Sequence, residues 1–348
     1  MARGDDIGTA LHLIARLGLT LEDLAVAEPD ASKIPTFQAY LAGLRDAVPV
    51  TTLRAYNSYW RIIEREWGER RLDEPSATEI TAMVEAHRHR AVVRRNTRGG
   101  HNAVLLFIAA FRCLYRHAER DKLVHPLDNP AARVDKPAPL ASPRHALSRD
   151  RIEDLARIAS TTGNDPDLDA LLVRLHVETA CRRGGSLALR GEDLDPEDCL
   201  IRLREKRNTV RWQPVSPTLM RDLLLHVEDR GGLDSTRPVL RYYTGAAMGR
   251  RRYDHLADRW REHLPWAATP GVSMHWLRHT TLTWVEREFG YATARAYAGH
   301  ADSRGRDGVT HTYVRAGVTE VAAAVQALTG EPHPLAAPGS RGSGFGSA

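Results

Sequence analysis

Residues 274–282 read MHWLRHTTL, a stretch that places His275 three residues before Arg278. The apolar spacing from 273 to 290 predicts a helix that ends at Gly290. Residues three apart share one face of a helix, so the imidazole and the guanidinium would face a common point. The same spacing recurs at residues 87/90 and 117/120. The pair therefore acquires meaning only from the rest of the chain.

The composition indicates a globular protein large enough for two domains. The chain has 348 residues, 42% of them hydrophobic. No apolar run reaches the roughly 18 residues that a membrane span needs, and the first residues lack the basic flank of a secretory signal. Three widely spaced cysteines indicate a reducing compartment and form no metal-binding pattern. We therefore expect a cytoplasmic protein.

The charge distribution points to a polyanionic partner. The net charge is +5, with −3 in residues 1–33, +5 in residues 34–136 and +3 in the remainder. An acid-free stretch between two predicted helices carries Arg88, Arg90, Arg94, Arg95 and Arg98. These five cations could line a solvated helix end, but their mutual repulsion favours a phosphate-binding surface.

The sequence divides into five segments. An acidic segment (1–33) precedes a helical domain (34–136), in which Ser76 and Glu79 form a capping box. A proline-rich linker (137–147) leads to a second domain (148–330) whose first helix is capped by Ser148. A tail rich in Pro, Gly and Ser (331–348) is predicted to be disordered.

The predicted second domain combines helices with a small β-structure. A helical run is broken at Gly184–Gly185, residues 199–217 alternate as a β-hairpin turning at 206–209, and residues 319–330 form a last helix. The fold class is therefore mainly α with a small β-hairpin or sheet (α+β).

Five motifs occur in a fixed order along the chain. They are TACR ending at Arg182, LREKRNTVRWQPV around Lys206, MHWLRHTTL with His275 and Arg278, AYAGH ending at His300, and THTYVRAG around Tyr313. Each is weak alone, but together they resemble the tyrosine recombinases, the phage-integrase type of site-specific DNA recombinase. The resemblance covers about residues 34–330 and implies that residues 34–136 are a core-type DNA-binding domain and residues 148–330 the catalytic domain. It implies DNA cleavage and rejoining through a 3′-phosphotyrosyl link, for integration, excision or a related rearrangement.

The chemistry of phosphodiester exchange accounts for these residue types. A tyrosine hydroxyl, Tyr313, can form a phosphoester, and two arginines can hold the non-bridging oxygens of the transition state. Arg182 and Arg278 fit this second role. The leaving 5′ oxygen needs a proton, which lysine can give and arginine in practice cannot. Lys206 is the only lysine in residues 137–348.

The remaining predicted groups assist this chemistry. His275 would move a proton to or from the tyrosine, and His300 would hydrogen-bond to the phosphate or support the arginines. His279 is predicted to be structural. Tyr291 and Tyr297 are rival nucleophiles, but Tyr297 is expected to pack against the core.

The resemblance also implies an architecture and partners. Two domains would form a C-shaped clamp around double-stranded DNA, and four protomers would act on two sites, with neither cofactor nor metal. The predicted DNA contacts are Arg88, Arg90, Arg94, Arg95, Arg98, Arg204, Arg207 and Arg211. Accessory DNA-bending or directionality proteins are possible partners, and a bacterial, phage or plasmid origin with a nucleoid location is expected. The last helix would dock on a neighbouring protomer or be an ordinary core helix.

Two departures from the family pattern leave alternatives open. The acid that usually follows three residues after the first arginine is Gly185 here, so the orientation of Arg182 is open, with Arg183 as a neighbouring candidate. The interval from His300 to Tyr313 is about four residues longer than usual, which leaves cleavage in cis or in trans open. The rival functions are a non-catalytic DNA-binding protein on the same fold, a relaxing topoisomerase and a helix-turn-helix regulator.

Overall fold

The chain forms two compact units, residues 1–140 and 141–348, in a computed structural model. The structure describes residues 2–18, 33–90, 100–138, 140, 144–205, 209–299 and 316–336. The division between the units falls inside the segment predicted as a linker, residues 137–147. The bounds proposed for the individual domains stay a prediction.

The first unit is helical over its described residues. Its helices are α1 (Ala2–Arg16), α2 (Phe37–Ala47), α3 (Val50–Trp67), α4 (Ala77–Arg90) and α5 (His101–Arg120). The predicted capping box begins α4, since the Glu79 amide donates to Ser76 Oγ at 3.2 Å and the Ser76 amide donates to Glu79 Oε2 at 2.9 Å.

The core of this unit surrounds α5, whose apolar length predicts a central helix. Phe107, Phe111 and Leu114 are fully buried. Trp60 of α3 is buried against α5, and its indole donates to the Ala110 carbonyl at 3.1 Å. This bond satisfies the one polar atom of a large apolar side chain and ties the two helices together.

The second unit combines helices with one small sheet. Its elements are α6 (Arg149–Thr161), α7 (Pro166–Thr179), α8 (Arg183–Ala188), β1 (Leu194–Asp195), β2 (Leu200–Arg204), β3 (Val210–Pro214), α9 (Pro217–Asp229), α10 (Arg251–His263), α11 (Pro265–Ala268), α12 (Met274–Ala298) and α13 (Val318–Thr329). The sheet is antiparallel in the order β1-β2-β3, and Arg204 pairs with Val210 next to the turn. The predicted hairpin is therefore confirmed.

One helix boundary differs from the sequence prediction, and a second falls at the predicted glycine but is a kink. The helical run before the first arginine ends at Ala180, not at Gly184–Gly185 as predicted. Ala180 adopts a left-handed conformation (φ 48°, ψ 26°) and its amide bonds to the His176 carbonyl, whereas both glycines lie inside α8. Gly290 (φ 80°, ψ 170°) interrupts α12, and a helical segment resumes directly after it.

The beginning of the predicted disordered tail is ordered. Glu331 accepts a hydrogen bond from the Thr218 amide at 3.1 Å and forms an ion pair with Arg174 at 3.2 Å. His333 is 5% exposed, and its Nε2 lies 3.3 Å from the Cys199 carbonyl oxygen. Residues 331–336 thus make specific contacts where disorder was predicted, and residues 337–348 lie outside the described part.

The last helix, α13, packs into its own unit. Val321, Ala322, Ala324 and Val325 are buried, and the helix contacts α7, α12 and β3. This packing fits the expectation of an ordinary core helix, while docking on a neighbouring protomer stays a prediction. Among the helices of the described residues, none combines the length with the apolar composition that a membrane span requires.

Candidate active site

Three separate elements bring charged side chains to one place in the second unit. Arg182 is the residue before α8, Glu205 follows β2, and Arg278 lies in the second turn of α12. Glu205 is the link between the two arginines, since its carboxylate is completely buried and lies within 4 Å of both guanidinium groups. The two arginines predicted as a phosphate clamp are therefore neighbours.

Arg278 is fixed by backbone carbonyl groups. Its side chain is 5% exposed, Nη1 donates to the Ala180 carbonyl, and Nη2 donates to the Ala298 carbonyl at 2.8 Å. Burial, followed by the charge of Arg182, lowers the pKa of Arg278 to about 10. A buried cation beside other cations is stabilised when an anion arrives.

Arg182 is bound at two points by Glu205. The Arg182 amide donates to Glu205 Oε1 at 2.7 Å, and its Nη1 donates to Oε2 at 2.6 Å. One third of the Arg182 side chain stays exposed. Glu205 thus orients the Arg182 side chain, while part of that side chain stays accessible to a ligand.

Arg211 is a third cation in this cluster, at a position that differs from our prediction. We expected Arg211 to contact DNA from the hairpin, but its side chain is only 10% exposed, and Nη2 donates to the Thr179 carbonyl at 3.2 Å. Its Nε lies 4.0 Å from Glu205 Oε2. Gly299 packs against it so closely that an added Cβ would lie 2.6 Å from Arg211 Nε. Arg211 thus supports the site from inside.

His275 lies three residues before Arg278 on α12, at an exposed position. Desolvation, followed by the positive charges of Arg144 and Arg278, lowers the pKa of His275 from its ordinary value. The imidazole is therefore neutral at pH 7 and can accept a proton. His279, which follows Arg278 and is predicted to be structural, has its Nδ1 3.4 Å from Thr283 Oγ1.

Several predicted site residues lie outside the described part of the chain. They are Lys206, His300 and Tyr313, together with Arg94, Arg95, Arg98 and Arg207. Of the rival tyrosines, Tyr297 is fully buried and its hydroxyl donates to the Glu178 carbonyl, whereas Tyr291 is 49% exposed and accepts from Arg295 at 3.1 Å.

The other arginines predicted to bind DNA differ in their surroundings. Arg88 and Arg90 are exposed in the last turn of α4, where Arg88 pairs with Glu85 at 3.4 Å. Arg204 pairs with Asp193 and, at 2.8 Å, with Glu192. The outer side of the hairpin at Arg204 is thus neutralised by its own acids.

The cluster carries more positive than negative charge. Among the described residues, three guanidinium groups share the Glu205 carboxylate. Such a site suits an anion that accepts several N–H bonds, as a phosphate does. No group of three or more His, Cys, Asp or Glu in the described residues is placed to hold a metal ion.

Sequence reasoning missed the roles of Glu205 and Arg211. Both lie in the LREKRNTVRWQPV motif that was read for its lysine. The available signal was the acid directly before Lys206. The contacts with Arg182 and Arg278 depend on elements far apart in the sequence and were not visible in it.

Solved structures place this architecture among known folds. A Tn1549 transposon integrase bound to circular intermediate DNA matches with a TM-score of 0.61 at 16% identity, over 83% of this chain and 98% of that one. A lambda integrase dimer bound to a core site matches with a TM-score of 0.59 at 16% identity, over 79% and 98%. A lambda integrase tetramer bound to a Holliday junction matches with a TM-score of 0.59 at 17% identity, over 87% and 89%.

These likenesses show that the chain has the tyrosine recombinase fold. The mainly helical architecture with a small antiparallel sheet, expected from the sequence, is that of the integrase catalytic domain. No protein-family model matches the chain, and no curated protein matches it.

Proposed function

We propose that this protein is a site-specific DNA recombinase that cleaves and rejoins strands through a covalent 3′-phosphotyrosyl intermediate. The observation that carries the proposal is the meeting of Arg182 and Arg278 on one buried carboxylate, within the fold of the tyrosine recombinases. Paired guanidinium groups on a rigid support are the arrangement that a pentacoordinate phosphate requires.

In the proposed reaction the Tyr313 hydroxyl attacks the scissile phosphorus. The new bond joins Tyr313 Oη to the 3′-phosphate, and the bond to the 5′ oxygen breaks. Desolvation, and then the positive charges of Arg144 and Arg278, lower the pKa of His275. Its neutral imidazole accepts the tyrosine proton. Lys206 donates a proton to the leaving 5′ oxygen, and His300 hydrogen-bonds to the phosphate. The reverse sequence joins the tyrosyl-linked strand to a 5′-hydroxyl.

Two other tyrosines of the second unit, Tyr297 and Tyr253, have surroundings that argue against them as nucleophiles. Burial raises the pKa of Tyr297, and its hydroxyl is already bonded to the Glu178 carbonyl. Tyr253 is likewise buried, and its hydroxyl lies 2.9 Å from His176 Nε2. A hydroxyl held in this way is poorly placed to attack a phosphate on bound DNA.

We propose double-stranded DNA as the partner and a tetramer on two sites as the active assembly. The lambda and Tn1549 integrases described above were solved on DNA, one of them as a tetramer on a Holliday junction. The exposed Arg88 and Arg90, with the further arginines of that stretch, would contact DNA phosphates.

Covalent trapping tests the proposal. Wild type, Tyr313→Phe and the matched control Tyr291→Phe are incubated with supercoiled plasmid in EDTA and analysed for an SDS-stable protein–DNA adduct. The proposal predicts an adduct with wild type and Tyr291→Phe and none with Tyr313→Phe. An adduct that persists in Tyr313→Phe contradicts the assignment. DNA binding without any adduct, on DNA that contains the protein's own site, would favour the non-catalytic DNA-binding protein.

A further inference from the structure

We propose that Glu205 is a positioning residue that holds Arg182 and Arg278 in register for the scissile phosphate, in the space that Gly185 leaves free. This inference rests on the proposed function. It assigns to the hairpin a second role beside that of carrying Lys206, and to a glycine the role of making room for a carboxylate.

The first support is the contact set of the Glu205 carboxylate. Its two oxygens accept from both the amide and Nη1 of Arg182, at 2.7 and 2.6 Å. Arg278 Nη1 lies 3.9 Å from Oε1 and Arg211 Nε lies 4.0 Å from Oε2. A carboxylate that binds both the side chain and the backbone amide of one arginine fixes the rotamer of that arginine and neutralises its charge.

The second support is electrostatic. The Glu205 side chain has no exposed surface, so solvent does not screen its contacts with the arginines. Without it, Arg182, Arg211 and Arg278 would repel one another at close range before any phosphate is bound. Glu205 therefore allows the arginines to be assembled in advance, and the phosphate does not have to organise them.

The third support is the space at Gly185. A Cβ built at this position would lie 3.2 Å from Glu205 Cγ and 3.5 Å from Oε1. Gly185 lies inside α8 and does not have a positive φ, so its backbone does not require glycine. The small residue fits the requirement for room beside Glu205, and a carboxylate placed at 185 would reach the same volume.

Glu205 also ties Arg182 to the two strands of the hairpin. Its amide donates to the Thr209 carbonyl at 2.8 Å, and this bond joins the end of β2 to the residue before β3. The backbone of Glu205 is thus fixed by the strand pair, while its side chain binds Arg182.

Removing the carboxylate and restoring it from a neighbouring position tests this role in the whole chain. The variants are Glu205→Ala, the near-isosteric Glu205→Gln, and the double variant Gly185→Glu/Glu205→Ala, which returns a carboxylate to the same volume from α8. Single-turnover adduct formation on plasmid DNA and the Kd for the same DNA are measured for each, with thermal melting to verify folding. Glu205→Gln decides the rate comparison if Glu205→Ala does not fold.

The proposal predicts that Glu205→Ala and Glu205→Gln slow adduct formation by about 10²-fold, the order expected for misplaced reacting groups, with Kd nearly unchanged. The double variant should recover at least a tenth of the wild-type rate. A purely structural role would predict loss of folding or DNA binding without rescue. Wild-type rates in Glu205→Ala and Glu205→Gln, or a folded double variant without rescue, would overturn the proposal.

A second readout separates this proposal from the proposed function. In NMR spectra of arginine-labelled protein without DNA, the Arg182 Nε–Hε group should be rigid in wild type and in the double variant and mobile in Glu205→Ala and Glu205→Gln. If wild type makes no adduct but this pattern holds, the recombinase function fails and the positioning role stands. If Arg182 is equally rigid without the carboxylate, the positioning role is overturned whatever the activity.

Discussion

Arg278 donates to two backbone carbonyl groups in segments far apart in the sequence, Ala180 and Ala298. A lysine cannot span both acceptors and present further donors to a phosphate, because its charge is a single ammonium group. We therefore predict that Arg278→Lys slows single-turnover adduct formation by about 10²–10³-fold, the range found when one preorganised donor is lost.

The matched control for this change is Arg287→Lys, an exposed arginine on the same helix, α12. It should react at the wild-type rate. Equal rates in Arg278→Lys and wild type would show that the fork of the guanidinium is not used in the chemical step.

His275 should set the acidic limit of the reaction. Its pKa is lowered from the ordinary value near 6.5, first by desolvation and then by Arg144 and Arg278. Because the neutral imidazole is the proton acceptor, activity is full above the pKa and is lost as the pH falls through it. The acidic limb of the single-turnover rate should therefore lie below pH 6.5.

Arg144→Gln tests the cause of this shift. Removing a positive neighbour makes the imidazolium easier to form, so the acidic limb should move to higher pH. Arg149→Gln is the control, since Arg149 is 91% exposed and pairs with Glu153 at 3.0 Å. An identical limb in wild type and Arg144→Gln would contradict the electrostatic assignment.

The long helix α12 depends on its glycine kink. Gly290 has φ 80° and ψ 170°, a region essentially restricted to glycine, and no atom lies within 4 Å of an added Cβ. Gly290→Ala should therefore lower the free energy of unfolding by about 1–3 kcal/mol through backbone strain alone, as measured by urea denaturation.

Gly184→Ala is the matched control for the kink. This residue also has open space around its Cβ position, but it lies in α8 without a positive φ. The substitution should be neutral or stabilising by about 0.5–1 kcal/mol. Equal effects of the two substitutions would show that the kink carries no strain penalty.

A buried ion pair joins α7 to α10. Asp169 accepts from Arg252 Nε and Nη2, both at 2.6 Å, and the two side chains are 0% and 5% exposed. Asp169→Ala would leave Arg252 charged and buried with only neutral acceptors, Asn164 Oδ1 and the Asp165 carbonyl, and would also remove the ion pair of Asp169 with Arg259. The free energy of unfolding should fall by about 3–5 kcal/mol, measured by urea denaturation. Asp154→Ala, at the exposed pair with Arg157, should change it by less than about 1 kcal/mol.

The two units have separate hydrophobic cores. The core of the first unit is built around α5, and the second unit has a large core around α7 and α10 and a smaller one between α12 and α13. Residues 141–348 should therefore fold when expressed alone, giving a cooperative thermal transition by circular dichroism. A fragment of residues 165–348 lacks α6 and with it the buried Leu155 and Ile158. It should not fold cooperatively, and cooperative unfolding of this shorter fragment would contradict the assignment of that core.

Local patterns in the sequence were sufficient to predict several helices, the hairpin and part of the site. The Ser76 capping box, the hairpin and the i, i+3 spacing of His275 and Arg278 depend on neighbouring residues and could be predicted. The end of α7 at Ala180 could not be predicted, because alanine rarely adopts a left-handed conformation and the nearby pair Gly184–Gly185 is the more usual place for a helix to end. Glu205 was also missed, since its burial arises only when α8, β2 and α12 pack together.

The most direct test of the central claim is to map the covalent bond. Full-length protein is trapped on supercoiled plasmid in EDTA, digested with nuclease and trypsin, and analysed by mass spectrometry. The account predicts a nucleotide linked through its 3′-phosphate to the peptide of residues 307–315, which contains Tyr313 as its only tyrosine. A nucleotide linked to Tyr291, Tyr297 or a serine would contradict it.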